Sequence, residues 1–229
     1  MTAPQELKEI HPLGKSPVIA VEAPASSKPL VIAESAFIIE YLTEHFGSWL
    51  APKRYADGKE GQVGGESEEW LRYRFFMHYA EGSLMTYILV SLLVSSLSIS
   101  SGSCWRKVLI FPTDIRNSPV PFFIKPITGM IAGKLDSMFL QPNFKTNFSF
   151  LESQIASSPD GGEYLCGKEI TGADILMSFP LEAARGRAGL DADKYPKLCA
   201  YIDRLQTRDA YKRAVQKIID IEGEYNSLL

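Results

Sequence analysis

Cysteine is scarce in this sequence, which has only Cys104, Cys166 and Cys199 among its 229 residues. The three are odd in number, lie far apart and form no Cys-x-x-Cys pair, so neither a disulfide framework nor a thiolate metal site is favoured. We therefore expect no bound metal, and we expect a reducing compartment, the cytoplasm, as the location.

A surplus of positive charge is also absent. The chain has 24 lysines and arginines against 27 aspartates and glutamates, a formal net charge of -3. This composition does not provide the basic surface that most nucleic-acid-binding proteins use, so no nucleic-acid partner is expected.

Long hydrophobic runs are missing as well. The most apolar stretch, residues 84–99, contains repeated serines and falls short of the roughly 20 apolar residues of a membrane-spanning helix. Residues 1–10 are polar and acidic where a signal peptide would be basic and then apolar. We interpret residues 84–99 and a second apolar stretch, 122–131, as buried helical core. The alternative is a membrane-surface protein, and no membrane association is expected.

What the sequence does contain is 45% hydrophobic and 22% charged residues, the proportions of a globular protein. Residues 16–21 and 30–33 are β-branched and apolar, and the segment between them is rich in proline and serine, which predicts two antiparallel strands. Residues 35–46 have apolar side chains at helical spacing, with Ser35 as the predicted N-cap and Gly47 as the C-terminal stop.

The remainder of the chain predicts a linker followed by helices. Residues 53–67 are rich in glycine and charge and predict an interdomain linker, which divides the chain into domains 1–50 and 68–229 joined by residues 51–67. Two apolar stripes at helical spacing follow, formed by Trp70, Tyr73, Met77, Ala80, Leu84 and Ile88 and by Phe144, Phe148, Leu151 and Ile155. Further helices are predicted at 174–187, 197–205 and 209–221, whereas residues 95–118 lose the helical period and predict a loop or insertion.

Residues 11–17, HPLGKSP, enter the first predicted strand. A cis bond before Pro17 would turn the backbone of Ser16 outward, where its N–H and C=O could bind a peptide-like ligand. The alternative is that Pro17 simply begins a strand.

Glu34 and Ser35 lie at the junction of the second strand and the helix. The helix N-terminus and the Ser35 hydroxyl favour an anionic group, and the Glu34 carboxylate could receive an ammonium group, so the pair matches an amino-acid head group. The alternative is a plain N-cap. The spacing of Thr171 and Asp174 predicts a capping box, to which we assign a structural role only.

Taken in order, the runs HPLGKSP, IAESAFIIEYL, ITGADILMSFP and YPKLCAYIDRL, together with EGSL at residues 81–84, resemble the cytosolic glutathione S-transferase family, most closely its fungal branch. The resemblance covers most of the chain outside residues 95–118. It implies an α+β protein of two domains, a partial thioredoxin-like domain that retains β-β-α and an all-α domain after it.

The resemblance also implies a site for glutathione as co-substrate. Lys15 would pair with the glycine carboxylate, and the backbone of Ser16, held by cis-Pro17, would bind the cysteinyl part. Glu34 and Ser35 would hold the γ-glutamyl group.

The implied reaction is conjugation of glutathione to a small apolar electrophile, with peroxide reduction as a further activity, in a homodimer. Candidates for the electrophile pocket are Tyr73, Met77 and Tyr87, although aromatic residues at helical spacing more often belong to a core.

In this family a strand, a helix and a second strand precede the HPLGKSP region, and the residue that activates the glutathione thiol follows the first strand. A β-α-β unit takes about 30 residues or more, and ten residues precede His11. We therefore expect the thiol-activating residue to lie before Met1 and the activity of residues 1–229 to be weak or lost. A second hypothesis is a non-catalytic glutathione-binding or protein-interaction module.

Overall fold

The computed structural model describes residues 5–22, 24, 27–98 and 125–225. Within these residues a small two-stranded sheet and one helix precede a larger set of packed helices. Residues 99–118, most of the predicted loop or insertion, lie outside this description.

The N-terminal part has the predicted order of strand, strand and helix. Helix α1 (Gln5–Ile10), which no sequence pattern predicted, is followed by β1 (Val18–Val21), β2 (Leu30–Ala33) and α2 (Ser35–Phe46). The strands are antiparallel, from the pair Val18 and Ala33 to the pair Val21 and Leu30. Gly47 ends α2 as predicted, because it is the C-cap residue of that helix.

The N-cap prediction for α2 is wrong. Glu34 is the N-cap residue, it makes no side-chain capping bond, and Ser35 is the first residue of the helix. The Ser35 hydroxyl bonds a distant carboxylate instead, that of Glu81.

The helical part contains seven α-helices among the described residues, two of them extended by π-helical turns. They are α3 (Glu68–Tyr79), continued by a π segment (Ala80–Met85) into α4 (Thr86–Ser98), then α5 (Lys125–Leu135), continued by a second π segment (Asp136–Leu140) into α6 (Gln141–Ala156), and finally α7 (Gly172–Arg187), α8 (Pro196–Thr207) and α9 (Asp209–Glu222). The predicted helices at 174–187, 197–205 and 209–221 are confirmed. Residues 95–98, predicted to leave the helix, belong to α4.

The core lies among these helices, and both predicted stripes contribute to it. The stripe on α6 is buried throughout, and on the helix that runs from α3 into α4 Tyr73, Met77, Ala80, Leu84 and Ile88 are buried. Burial of a large apolar side chain stabilises the fold by about 1.5–3 kcal/mol. The expectation that residues 122–131 form buried core is wrong for Met130 and Ile131, which are exposed on α5.

The segment predicted as a linker has no helix or strand, but it is an ordered series of turns. Tyr55 forms an isolated bridge with Glu66, and the Ser67 hydroxyl donates to the carbonyl oxygen of Lys53 at 2.6 Å. The same hydroxyl accepts the Trp70 N–H at 3.2 Å and so caps α3. The residues between the sheet and the helices are therefore fixed against the start of α3.

The apolar character of the α3–α4 helix agrees with its position in the core. Among the described residues, Glu68–Ser95 is one helix of 28 residues that is long and apolar enough to cross a membrane. A core helix meets the same two criteria, and one side of this helix packs in the core.

Candidate functional site

The register of the hairpin brings the two N-terminal motifs together. Because Val18 pairs with Ala33, the residues just before β1 and just after β2 lie at the same end of the sheet. Residues 15–17 therefore face residues 34 and 35 across the two strands. The peptide bond between Ser16 and Pro17 is cis, as predicted.

A tight turn presents Lys15 and Ser16 at this end of the sheet. The Gly14 N–H donates to the carbonyl oxygen of His11 at 2.8 Å, and Gly14 has φ 58°, a value that glycine adopts without steric cost. Lys15, Ser16 and Pro17 are all exposed, so their side chains and backbone are open to a ligand.

Glu34 has a backbone conformation that is rare for a residue with a side chain. Its φ is 74° and its ψ 119°, and its carbonyl oxygen accepts the Ile38 N–H at 2.9 Å. Positive φ at a residue other than glycine costs of order 1–3 kcal/mol, and such residues cluster at functional sites. The Glu34 carboxylate is exposed beside the first turn of α2, where backbone N–H groups have no partner in the helix.

Glu81 adds a second carboxylate to this end of α2. The Ser35 hydroxyl donates to Glu81 Oε1 at 3.4 Å, across 46 residues of sequence. Glu81 lies in the π segment between α3 and α4, a type of irregularity that occurs frequently at functional sites. In the sequence Glu81 is only part of the EGSL run, and no role is predicted for it. A contact between residues 46 positions apart leaves no signal in the local sequence.

The candidates for an electrophile pocket do not share one environment. Tyr73 and Met77 are 5% and 2% exposed within the core, which favours a structural role for both. Tyr87 is half-buried, with its ring centroid 5.9 Å from that of Phe139 and 6.5 Å from that of Phe144. The role of all three in an electrophile pocket stays a prediction.

Thr171 and Asp174 form the predicted capping box at the start of α7. Asp174 is fully buried, and its carboxylate accepts four hydrogen bonds: from the Thr171 N–H and hydroxyl at 2.7 Å each, from the Tyr201 hydroxyl at 2.7 Å and from the Leu165 N–H at 3.0 Å. Burial raises the pKa of Asp174, and the four donors oppose that rise. With every donor on the protein itself, the carboxylate has a structural role.

Neither described cysteine has the surroundings of an activated nucleophile. Cys166 and Cys199 are free and buried, and burial raises the pKa of Cys166 to about 12. Reactive cysteines have lowered pKa values and partial exposure. In the described ranges, no group of three or more His, Cys, Asp or Glu side chains could hold a metal ion.

Comparison with known proteins supports the family seen in the motifs. Residues 138–209 match the family model described as glutathione S-transferase, C-terminal domain. Glutathione S-transferase 1 of Saccharomyces cerevisiae is 27% identical over 215 residues, covering 94% of this chain and 79% of the relative. Glutathione S-transferase 3 of Schizosaccharomyces pombe is 25% identical, covering 95% and 74%. Over most of its length the chain is similar to glutathione S-transferases.

Solved structures of glutathione S-transferases confirm the fold of this chain. Ure2p5 from Phanerochaete chrysosporium, cocrystallized with 1-(S-glutathionyl)-2,4-dinitrobenzene, superposes with a TM-score of 0.60 at 16% identity. The match covers 99% of this chain and 84% of Ure2p5. The fold is therefore a partial thioredoxin-like domain, β-β-α, followed by an all-helical domain. The exact boundaries at residues 50 and 67 stay a prediction.

Proposed function

We propose that this chain is a member of the glutathione S-transferase family and binds glutathione at the end of the hairpin where Lys15, Ser16 and cis-Pro17 face Glu34 and Ser35. The observation that carries the proposal is the hairpin register, because it places a cation, an exposed strand entry and a helix N-terminus side by side. These groups match the carboxylate, the peptide and the amino-acid head of glutathione in turn.

The charges of the site suit those of the ligand. At neutral pH glutathione has two carboxylates and one ammonium group. Lys15 and the unpaired N–H groups at the start of α2 favour the carboxylates, since cations and helix N-termini both attract anions. Glu34, together with Glu81, which is bonded to Ser35, offers carboxylates to the ammonium group.

The reaction that fits this ligand is conjugation to a small apolar electrophile, for which 1-chloro-2,4-dinitrobenzene is a suitable test compound. The glutathione sulfur attacks the ring carbon that bears chlorine, a C–S bond forms, and the C–Cl bond breaks as chloride leaves with its electron pair. The thiol proton passes to water. Peroxide reduction is a second reaction of the same thiolate.

The test measures glutathione binding by isothermal titration calorimetry. Lys15→Ala and Ser35→Ala should each weaken binding about 10-fold or more, because a hydrogen bond to a charged group contributes about 1.5–3 kcal/mol. Lys134→Ala, an exposed lysine on α5, is the matched control and should leave binding unchanged. Binding that is insensitive to Lys15 and Ser35, or equally sensitive to Lys134, would refute this site.

A second candidate function is glutathione binding without turnover. A free thiol has a pKa near 8.5, so little thiolate forms at pH 7 unless the site lowers that pKa. Titration with glutathione and the conjugation assay separate the two functions: binding with turnover indicates the enzyme, and binding alone indicates the module.

The assembly and the location we propose are a homodimer in the cytoplasm. The dimer is supported by Leu71 and Phe75 on α3, exposed apolar side chains that a second subunit could cover. The location is supported by the described cysteines, which are free, as in a reducing compartment. Light scattering at two protein concentrations tests the dimer, and a monomer at both would contradict it.

A further inference from the structure

A cavity of about 500 Å³ lies at the opposite end of α2 from the proposed glutathione site. It opens between residues 49–57, which follow α2, and the loop of residues 159–171, which precedes α7. Because α2 has 12 residues and a helix rises 1.5 Å per residue, about 18 Å separates its two ends. The cavity is therefore distinct from the glutathione site.

The walls of this cavity are preformed. The Ser158 hydroxyl donates to the carbonyl oxygen of Tyr164 at 2.6 Å, and the Leu165 N–H donates to buried Asp174. On the opposite wall, the Ser67 hydroxyl donates to the carbonyl oxygen of Lys53. Ligand sites in proteins are usually preformed concave surfaces of about 300–1,000 Å³, and this cavity lies within that range.

Aromatic and proline side chains supply the apolar part of the lining. Trp49 is 75% exposed at the cavity, although tryptophan is among the largest apolar side chains, and Pro52, Tyr55 and Pro159 line the cavity with it. An exposed tryptophan offers a flat apolar face and the strongest cation–π surface of any side chain. Such a wall suits a flat ligand.

The charges of the lining are predominantly negative. Lys53 is paired with Asp57, so these two residues cancel. The other charged residues of the lining are one cation, Lys168, and three carboxylates, those of Glu69, Asp160 and Glu169. Within the described part of the chain none of these four makes a salt bridge. The unbalanced negative charge favours a cation and disfavours an anion.

We propose that this cavity binds a flat organic cation, with its apolar body against Trp49 and its positive charge near Glu69, Asp160 and Glu169. The ligand class differs from glutathione, which is an anion at neutral pH. The two sites bind independently, since they lie at opposite ends of α2.

The probe for the test is thioflavin T, a flat dye with a permanent positive charge whose fluorescence rises when it is confined. Its uncharged benzothiazole–aniline analogue has nearly the same shape without the charge, and 1-anilinonaphthalene-8-sulfonate is a flat anion. We expect one thioflavin T per chain, with binding at least about fivefold tighter than that of either comparison dye and weakened by added salt. Saturating glutathione should not displace it.

Four variants locate the binding. Trp49→Ala should weaken thioflavin T binding about 10-fold, since cation–π contact and ring burial both disappear. The triple variant Glu69→Gln, Asp160→Asn and Glu169→Gln should weaken thioflavin T binding at least about fivefold, because it removes negative charge. Lys168→Glu should strengthen thioflavin T binding about threefold, because it adds negative charge. Met138→Ala is the control for Trp49→Ala, since Met138 is also 75% exposed, but on the π segment that joins α5 and α6.

Three results would overturn the proposal. They are tighter binding of the anionic dye, displacement of thioflavin T by glutathione, and equal binding by the wild type and Trp49→Ala. Because Trp49 is exposed and Lys168→Glu predicts a gain of binding, misfolding cannot imitate the expected pattern. Circular dichroism of each variant confirms that the helices are retained.

Discussion

Replacement of Asp174 by alanine is the sharpest test of how the helical domain is held together. The side chain is fully buried and accepts hydrogen bonds from two backbone N–H groups, those of Leu165 and Thr171, and from the hydroxyls of Thr171 and Tyr201. Asp174→Ala removes the acceptor for all four at once. Water has no access to the site, so the donors lose their partner without replacement.

The magnitude follows from the two backbone groups. Hydroxyls can rotate toward another acceptor, but the N–H groups of Leu165 and Thr171 are fixed and buried, at 0% and 5% residue exposure. A buried donor without a partner costs about 1–3 kcal/mol, which gives about 2–6 kcal/mol for the pair. Removal of a buried charge offsets part of this loss. We expect Asp174→Ala to lower the free energy of unfolding by about 3 kcal/mol, which corresponds to about 6–12 °C in Tm for a chain of this size.

The assay is thermal and urea unfolding followed by far-ultraviolet circular dichroism. Tyr201→Phe removes one of the four donors and leaves the carboxylate bonded three times, so it should cost only about 1 kcal/mol. Asp220→Ala, at an exposed aspartate of α9, is the matched control and should stay within about 0.5 kcal/mol of the wild type. A loss below about 1 kcal/mol for Asp174→Ala, or a loss for Asp220→Ala as large as that for Asp174→Ala, would refute the reasoning.

Two other predictions concern the cysteines and the glycines. In a background with Cys104→Ser and Cys199→Ser, thiol labelling at pH 8 should be slow in the folded protein and fast in urea. Cys166 is buried, and its pKa of about 12 leaves about one thiolate in 10⁴ molecules. Rapid labelling without urea would contradict its burial. Gly162→Ala should destabilise the fold by more than about 2 kcal/mol, because a Cβ there would lie 2.0 Å from the backbone carbonyl carbon of Gly167. Gly133→Ala on α5 should stabilise the fold by up to about 1 kcal/mol in the same unfolding assay, because a Cβ there would have nothing within 4 Å. Equal effects of the two substitutions would show that the close approach does not matter.

Local patterns predicted most of the elements because each pattern reflects a contact made within a few residues. The hairpin, the end of α2 at Gly47 and the capping box of Thr171 and Asp174 all depend on neighbours in sequence, and all are present. The stripe on α6 is equally local, because a helix has 3.6 residues per turn and neighbours in the stripe are therefore only three or four residues apart.

The features that could not be predicted depend on residues far apart in the chain. Ser35 was expected to cap its own helix, but its hydroxyl bonds Glu81 instead, a partner 46 residues away. The linker composition predicted the absence of regular structure, yet gave no sign that residues 53–67 form ordered turns against α3. The cavity beside Trp49 could not be predicted for the same reason, because its two walls are about 100 residues apart in sequence and meet only in the folded chain.

The helical domain determines the position of α2, and through α2 the geometry of the proposed glutathione site. At the start of α2, Ser35 is bonded to Glu81 of the π segment, and five residues further along the helix Glu40 pairs with Arg74 of α3.

Toward its other end, α2 packs closely on α7. A Cβ at Gly172 would lie 2.8 Å from Ile39 and 3.3 Å from Thr43, so only glycine allows this approach without displacement of those side chains. Three separate contacts therefore fix both the position and the rotation of α2. Because β2 runs directly into α2, the same contacts fix Glu34 relative to Lys15 and Ser16. Binding of glutathione should consequently depend on residues of α3, the π segment and α7 that never touch the ligand.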